Sequence, residues 1–361
     1  MKLDWEPTRL HLEQPLRISR SVMAERDAVW VYLSDERHTG YGEVVTSAYY
    51  GLDLDRITGL LQRCRAWARR HTDPRELVAD LPTITADLHT APGVAMAIDA
   101  AAHDLLGRCT ATPVHRLIAA PYRREVATAR TIGITAASTA ARTATELTQQ
   151  GFEVVKIKLG SADFDDDLAR VRAVREAAPR ARLLLDPNGC WDAPQAARHL
   201  ERLAPLGVEA VEQPIAPGSP ECLGWLSQRC EPPVIADEDA ATLADVQRLA
   251  GRVAGVNVKL AKCGGIVAAR EVIDAARAVG MDIMLGCLVA SSLGLAPAVH
   301  LSGFARWVDL DGHLLLAADP WTGIGGHYGR IEVPDRPGLG VTRVAETPPP
   351  AEDRCRTRHR G

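Results

Sequence analysis

No stretch of this 361-residue chain holds the roughly 18 consecutive apolar residues that a membrane span requires, so no spanning helix is expected. The opening MKLDWEPTRL lacks an apolar stretch of the secretory kind, and a cytoplasmic location is the expectation. Basic residues are not in excess. The 42 Lys and Arg against 46 Asp and Glu give a formal charge of −4, which leaves no basic face for nucleic acid. Paired cysteines are lacking too: the eight are scattered, none forms a CxxC pair, and Cys222 and Cys230 stand too far apart for a zinc finger. They read as reduced, mostly buried small hydrophobes rather than zinc ligands or a disulfide frame. No GxGxxG follows a first strand, which weakens an open doubly wound sheet. What the chain does have is 46% hydrophobic residues, evenly spread, over a length that fits a barrel with an added domain.

The first hundred residues lack any strand–helix rhythm. Alternating runs at LHLEQPLRIS, DAVWVYLSD and GYGEVV predict an antiparallel three-stranded meander, with helices following near 54–70 and 93–108. Apolar residues dominate most faces of GVAMAIDAAAHDLLGR, so that helix reads as buried and its His103 as a packing residue. From about Ala127 the texture changes. Strands are predicted at ARTIGIT, EVVKIKL, RLLLD, VEAVE, PVIAD, GVNVKL, DIMLG and RWVDLD, separated by helical patterns such as 165–178, 193–203, 243–250 and 267–279. Eight strands with helices between most of them point to a (β/α)-barrel, whose right-handed crossovers bring every strand's C-terminal end to one face. After Asp311 the pattern gives way to a Gly- and Pro-rich stretch with one strand, expected to return to the meander. The closing TPPPAEDRCRTRHRG reads as a disordered, solvated tail.

Three acids close successive apolar runs: Asp186 in LLLD, Glu212 in VEAVE and Asp237 in PVIAD, spaced 26 and 25 residues apart. One βα repeat needs about that length, so the three carboxylates are expected on neighbouring strands at one rim, aimed at a common centre. Strand-end acids also cap helices, but Glu is a poor N-cap and equal spacing over three strands is hard to obtain by chance. The trio suits a hard divalent cation, Mg²⁺ first and Mn²⁺ as the alternative, with open positions for substrate oxygens. Asn188, two residues after Asp186, and Glu238, beside Asp237, are expected to support it.

Lys156 and Lys158 alternate on one strand and face the barrel mouth together. In isolation KIK is an ordinary surface-strand pattern; the neighbouring trio gives it meaning. Two ammonium groups so placed should depress each other's pKa and move one toward a neutral base. Lys259, four strands on, lies across the barrel. A lysine on each face of a carbon acid is what inversion requires: one removes the α-proton, the other returns it from behind, and the metal stabilises the intervening enediolate. In KLAK, Lys262 competes with Lys259 and is read as solvent-facing. Asp309 and Asp311, in DLD at the end of the last strand, both point to the mouth and would suit a substrate ammonium group; turn-capping before Gly312 is the plain alternative.

With these residues in place, the chain resembles the enolase superfamily in its muconate-lactonising subgroup, and within it the dipeptide epimerases. KIKLG, LLLDPNGCW, VEQPI, IADED and VNVKLAKCGGI carry the likeness in order and spacing, and VDLDGHLLLAADP and MLGCLVASSLG are similar to the segments around the last two strands. The resemblance implies an α/β fold: a (β/α)₇β TIM-like barrel over 123–318, and an α+β capping domain formed by 1–122 and a returning segment 319–345, with 346–361 left as tail. It implies Mg²⁺ on Asp186, Glu212 and Asp237, Lys158 and Lys259 as acid/base catalysts with Lys156 beside them, and Asp309 and Asp311 on the α-ammonium group. PLRISRSVMAERD is similar to the flexible loop of Ala–Glu epimerases, which puts Arg20 and Thr131 at the substrate's side chain and Tyr50 in a second closing loop. The implied activity is epimerisation of L-Ala-D/L-Glu or a related dipeptide, an isomerase step in cell-wall peptide recycling, in a homo-oligomer whose partner is a small dipeptide. A muconate cycloisomerase, an o-succinylbenzoate synthase or an N-acylamino acid racemase would use the same lysines and metal. Asp309 and Asp311 discriminate, because acids placed for an ammonium repel a muconate or succinyl carboxylate. Asp239, Ser21 and Val22 depart from the pattern near the expected pocket, and His327 and Tyr328 lie in a C-terminal stretch that does not align with it.

Overall fold

Strands β1 (Lys2–Ile18), β2 (Ser21–Ser34) and β3 (Thr39–Val45) form an antiparallel sheet in that order in the computed structural model, which describes residues 1–344. Ser19 and Arg20 make the turn between β1 and β2, where Ile18 pairs with Ser21. The β1–β2 register shifts between His11 and Leu16. Pro15 lies in that interval and has no N–H to give a ladder, which interrupts the pairing there. The helix Pro92–Cys109 packs on this sheet, buried along most of its length as its composition predicts. Its backbone comes so close that a Cβ at Gly40 would sit 2.1 Å from Ala101 O, a contact only glycine permits. His103 is enclosed here, with Nδ1 2.9 Å from Asp99 O.

β4 (Glu125–Ala127) precedes eight parallel strands: β5 (Ala129–Ile132), β6 (Val154–Lys158), β7 (Arg182–Asp186), β8 (Val208–Glu212), β9 (Val234–Ala236), β10 (Gly255–Val258), β11 (Asp282–Gly286) and β12 (Trp307–Asp309). Each strand pairs with its sequence neighbour from β5 to β12, which excludes the doubly wound order. Helices cross between them at Ala137–Gln149, Phe164–Ala177, Ala193–Leu203, Pro220–Ser227, Leu243–Leu249, Ile266–Ala278 and Ser292–Val299. Ala193–Leu203 shows why: Asp192 and Gln195 form a reciprocal capping box, and Ala196, Leu200 and Leu203 bury one face. The seam between β12 and β5 is closed by side chains, with Leu310 N donating to Thr128 Oγ1 at 3.1 Å and Thr131 N to Asp311 Oδ2 at 2.7 Å. Ala129, Val154, Leu184, Ala210, Ile235, Met284 and Trp307 fill the barrel below. The result is an enolase-like arrangement, an N-terminal cap over a nearly closed parallel barrel.

Beyond the barrel the chain runs back along the cap. Leu316 bridges Leu12, and Trp321 packs edge-on against Trp30 at 5.8 Å. The strand expected there is Arg330–Glu332, but it pairs with β4 and not with the meander, because β4 offers it a free antiparallel edge. The tail of 346–361 lies outside the described residues. Among the described residues no helix is long and apolar enough to cross a membrane. The cysteines correct the expectation of burial: the seven described are free, but only Cys64 is buried, and Cys190 and Cys222 are exposed. Cys109 instead meets Asp35 at 3.3 Å and His38 at 3.5 Å, partners that cysteine spacing does not reveal.

Candidate active site

Asp186 and Glu212 are the last residues of β7 and β8, and Asp237 directly follows β9, so the three acids stand side by side at the C-terminal rim. All three are buried. Above them opens a cavity of about 630 Å³, floored by Lys156, Lys158, Asp237, Lys259, Asp309 and Asp311. The β1–β2 tip, with Arg20, Ser21 and Val22, and the segment 46–50, with Tyr49 and Tyr50, close it from the cap side. Thr131 and Asn188 complete the wall.

The floor is an alternating lattice of charge. Lys158 Nζ donates to Asp186 Oδ2. Lys156 Nζ reaches Glu212, Asp309 Oδ2 at 2.6 Å and Asp186 Oδ2 at 3.1 Å. Lys259 Nζ lies 2.6 Å from Asp237 Oδ2 and 3.6 Å from Glu212 Oε1. For Lys156 this corrects the expected depression. Burial does pull Lys156 down, but Asp309, Glu212 and Asp186 outweigh it and hold its pKa well above the ordinary value. Lys259 is likewise held up, by Asp237 and Glu212 against burial. Among the acids, burial works against ionisation, yet Lys158, Lys156 and Lys259 keep Asp186 below the usual carboxylate range. Asp237 is held well below it against burial by Lys259 and Lys262. Glu212 goes the other way: burial and the adjacent Asp186 push it up to about 7.

Lys262 is a second correction. It is buried and donates to Asp237 Oδ1, to Asp237 O and, at 2.9 Å, to Asn257 O. The short helix Leu260–Cys263 that begins right after Lys259 turns it inward, where a continued strand would have pointed it elsewhere. Asp309 and Asp311 do line the cavity, but neither is free: Lys156 holds the first, and Thr131 N at 2.7 Å and Arg130 at 3.5 Å hold the second. Asp239 is not at the cavity. Its carboxylate accepts from Gln213 Nε2 at 2.8 Å and Gly218 N at 2.6 Å, and so braces the loop behind Asp237. His327 and Tyr328 are exposed, away from this cavity.

Supporting residues fall where the chain makes sharp turns. Asn188, at φ 52°, donates from its backbone N to Asp186 Oδ1 at 2.9 Å and from Nδ2 to Oδ2 at 3.2 Å. Arg20 donates to Glu238 Oε1 at 2.9 Å and Asn188 O at 3.2 Å, and stacks over Tyr49. Two residues escaped the sequence reading. Asn257 donates to Glu212 Oε1 at 2.7 Å, and Gln213 Oε1 accepts from Asp237 N at 2.9 Å. The alternation VNVK held the signal for Asn257, a polar residue on the same strand face as Lys259.

The donor set fits Mg²⁺. It consists of hard carboxylate oxygens on three adjacent, buried strand ends, where Lys156 meets Glu212 Oε2 with the kind of positive charge that a cation would also supply. The acids are not drawn within 4.8 Å of one another; among the described residues the group so gathered is Asp35, His38 and Cys109, in the cap. The lysine ammonium groups standing between the acids account for that spread.

Comparison with known proteins agrees with this geometry. The family model described as "Enolase C-terminal domain-like" matches residues 139–346. A hydrophobic dipeptide epimerase of Roseobacter litoralis is 32% identical over 347 residues, 94% of this chain and 98% of that one. An L-Ala-D/L-Glu epimerase of Bacteroides thetaiotaomicron is 28% identical, covering 95% of this chain and 88% of its own. The solved dipeptide epimerase of Methylococcus capsulatus, complexed with Mg and L-Arg-D-Lys, superposes with a TM-score of 0.87 at 30% identity, over 94% of this chain and 99% of that one.

Proposed function

This chain belongs to the enolase superfamily, in its muconate-lactonising subgroup and among the dipeptide epimerases, and from that premise we propose that it inverts the α-carbon of a dipeptide's C-terminal residue by two-base proton transfer. We assign Asp186, Glu212 and Asp237 to Mg²⁺, Lys158 and Lys259 to the proton, and the division into cap and barrel drawn at 122, 318 and 345 to the protein's domains. The observation that carries this reading is the placement of Lys158 and Lys259 at the C-terminal ends of strands four apart in an eight-stranded barrel, both facing one cavity and each held by a different acid.

Mg²⁺, when bound, would supply charge to hold the substrate's terminal carboxylate, to offset the charge that builds there, and to compete with the lysines for the acids' oxygens. One lysine then takes the α-proton as the C–H bond breaks, and its electron pair spreads into the carboxylate. The opposite lysine returns a proton to the other face. Lys259 must part from Asp237 before it can accept a proton, since that contact keeps it charged. Lys156 stays protonated between three acids and steadies the floor. Asp309 and Asp311 face the substrate's nitrogen. Arg20 faces its second side chain and favours a carboxylate there, as in L-Ala-D/L-Glu or a related dipeptide, in competition with Glu238.

A second reading, racemisation of an N-acyl amino acid, is favoured by one observation: Asp309 and Asp311 already have cationic partners and present less free charge to an ammonium group. Incubation of a dipeptide library and an N-acyl amino acid panel in D₂O with Mg²⁺, read by mass shift, separates the two. Exchange at the C-terminal α-carbon of dipeptides is the expected result; exchange confined to N-acyl amino acids selects the second reading, and none in either set rejects both.

A further inference from the structure

We propose that Arg26 is a specificity-determining residue that takes a carboxylate carried on the amino-terminal part of the substrate. How the substrate lies rests on the epimerase reading above; the need for an anion does not.

Arg26, on β2, lines the cavity. Its Nη1 is closed to solvent and has no hydrogen-bond partner among the described residues. The acids beside it in sequence are committed elsewhere: Glu25 and Asp27 lie 3.1 and 2.8 Å from Arg9. Asp309 and Asp311 are taken by Lys156 and by Thr131 with Arg130. Burial pulls Arg26 down to about 10, so it remains charged at neutral pH. Arg26 as a whole is half-buried, so the cost falls on the enclosed Nη1, and a substrate carboxylate would offset it.

Its position says which end of the substrate it meets. Arg26 pairs across the sheet with Leu10, and Leu12, two residues further along β1, bridges Leu316 just beyond β12. Arg26 therefore stands over the β11–β12 side of the cavity. Arg20 stands over the opposite side, through Asn188 after β7 and Glu238 after β9. With the reacting carbon between Lys158 and Lys259, the substrate's nitrogen end leads toward Asp309 and Asp311, and so toward Arg26. The matching chemistry is a carboxylate, borne either by an acidic first residue or by a dicarboxylic acyl group on the nitrogen.

The test uses the whole protein with Mg²⁺ and dipeptides that share one second residue and begin with L-Glu, L-Ala or L-Lys, together with the N-succinyl derivative of that second residue. Affinity by calorimetry and proton exchange are both measured, for the wild type, Arg26→Met and Arg26→Gln. Acid-bearing compounds are expected to bind the wild type at least about 10-fold more tightly than the Ala-first dipeptide. Both variants are expected to lose about 10–100-fold in affinity for them, while the Ala-first dipeptide changes little. A Glu-first preference identifies the side chain as the source, and a succinyl preference the acyl group. Equal losses for Ala-first and acid-bearing compounds, a Lys-first preference in the wild type, or no binding of any acid-bearing compound overturns the assignment. Acid-bearing compounds that bind through Arg26 without exchanging their proton leave it standing and reject the epimerase reading alone.

Discussion

Lys156 Nζ and Asp309 Oδ2 lie 2.6 Å apart although 153 residues separate them in the chain. The pair joins β6 to β12, and the same ammonium reaches Glu212 and Asp186, so one buried positive charge is shared among three carboxylates. Lys156→Met should leave them mutually repelling and cost about 3–5 kcal/mol, read as a lower urea midpoint. Added Mg²⁺ is expected to restore part of that loss, since it would answer the same excess of negative charge. A variant as stable as the wild type without metal would show that Lys156 is not the counter-charge described.

Lys158→Ala and Lys259→Ala should each lower turnover by about 10²–10⁴-fold or more while leaving the far-ultraviolet circular dichroism unchanged. Each variant should also lose exchange with D₂O from one enantiomer of the C-terminal residue in particular. Retained exchange from both enantiomers in either variant excludes two opposed bases.

Metal binding has a readout apart from turnover. The wild type should melt at a higher temperature in Mg²⁺, and Asp186→Asn should lose that increment along with activity. Lys262→Met tests the buried support behind the same site. It removes a partner of Asp237 Oδ1 and Asn257 O, and should destabilise the fold by about 3–5 kcal/mol. A loss of only a few tenths in that variant would mean that the lysine sits in solvent after all.

Glu43 gives the stability a particular pH dependence. This fully buried carboxyl on β3 accepts from Trp30 Nε1 at 2.9 Å and from Ser291 N at 2.8 Å, so it ties the cap to the loop that carries Cys287, Leu288 and Val289. Burial pushes it up to about 7 from an ordinary 4.5. Below the ordinary value both folded and unfolded chains hold the proton. As the pH rises past it, only the unfolded chain releases the proton, so stability falls until the folded value is passed and then levels off. From this group the loss should approach about 3 kcal/mol between roughly pH 5 and pH 8, and Glu43→Gln should flatten it. Urea denaturation across that range measures the difference; parallel curves for the two proteins would remove Glu43 as the cause.

The repeat of about 25 residues between Asp186, Glu212 and Asp237 was sufficient to put them on consecutive barrel strands, because a parallel crossover has a minimum length and one hand. Strand alternation likewise put Lys156 and Lys158 on one face, and apolar periodicity separated cap from barrel. These are local properties, set by spacing along the backbone. Which charge meets which could not be read that way. Lys262 turns inward because a one-turn helix starts at Leu260, Asp239 braces Gln213 and Gly218, and Arg26 Nη1 has no partner among the described residues, since strand alternation turns Glu25 and Asp27 to the other face, where Arg9 meets them. Lys156 gains a proton-holding environment from Asp309, on the last strand in sequence, which barrel closure brings beside it. Ionisation depends on the sum of charges within a few ångströms in a space closed to water, and only the folded chain brings those charges together.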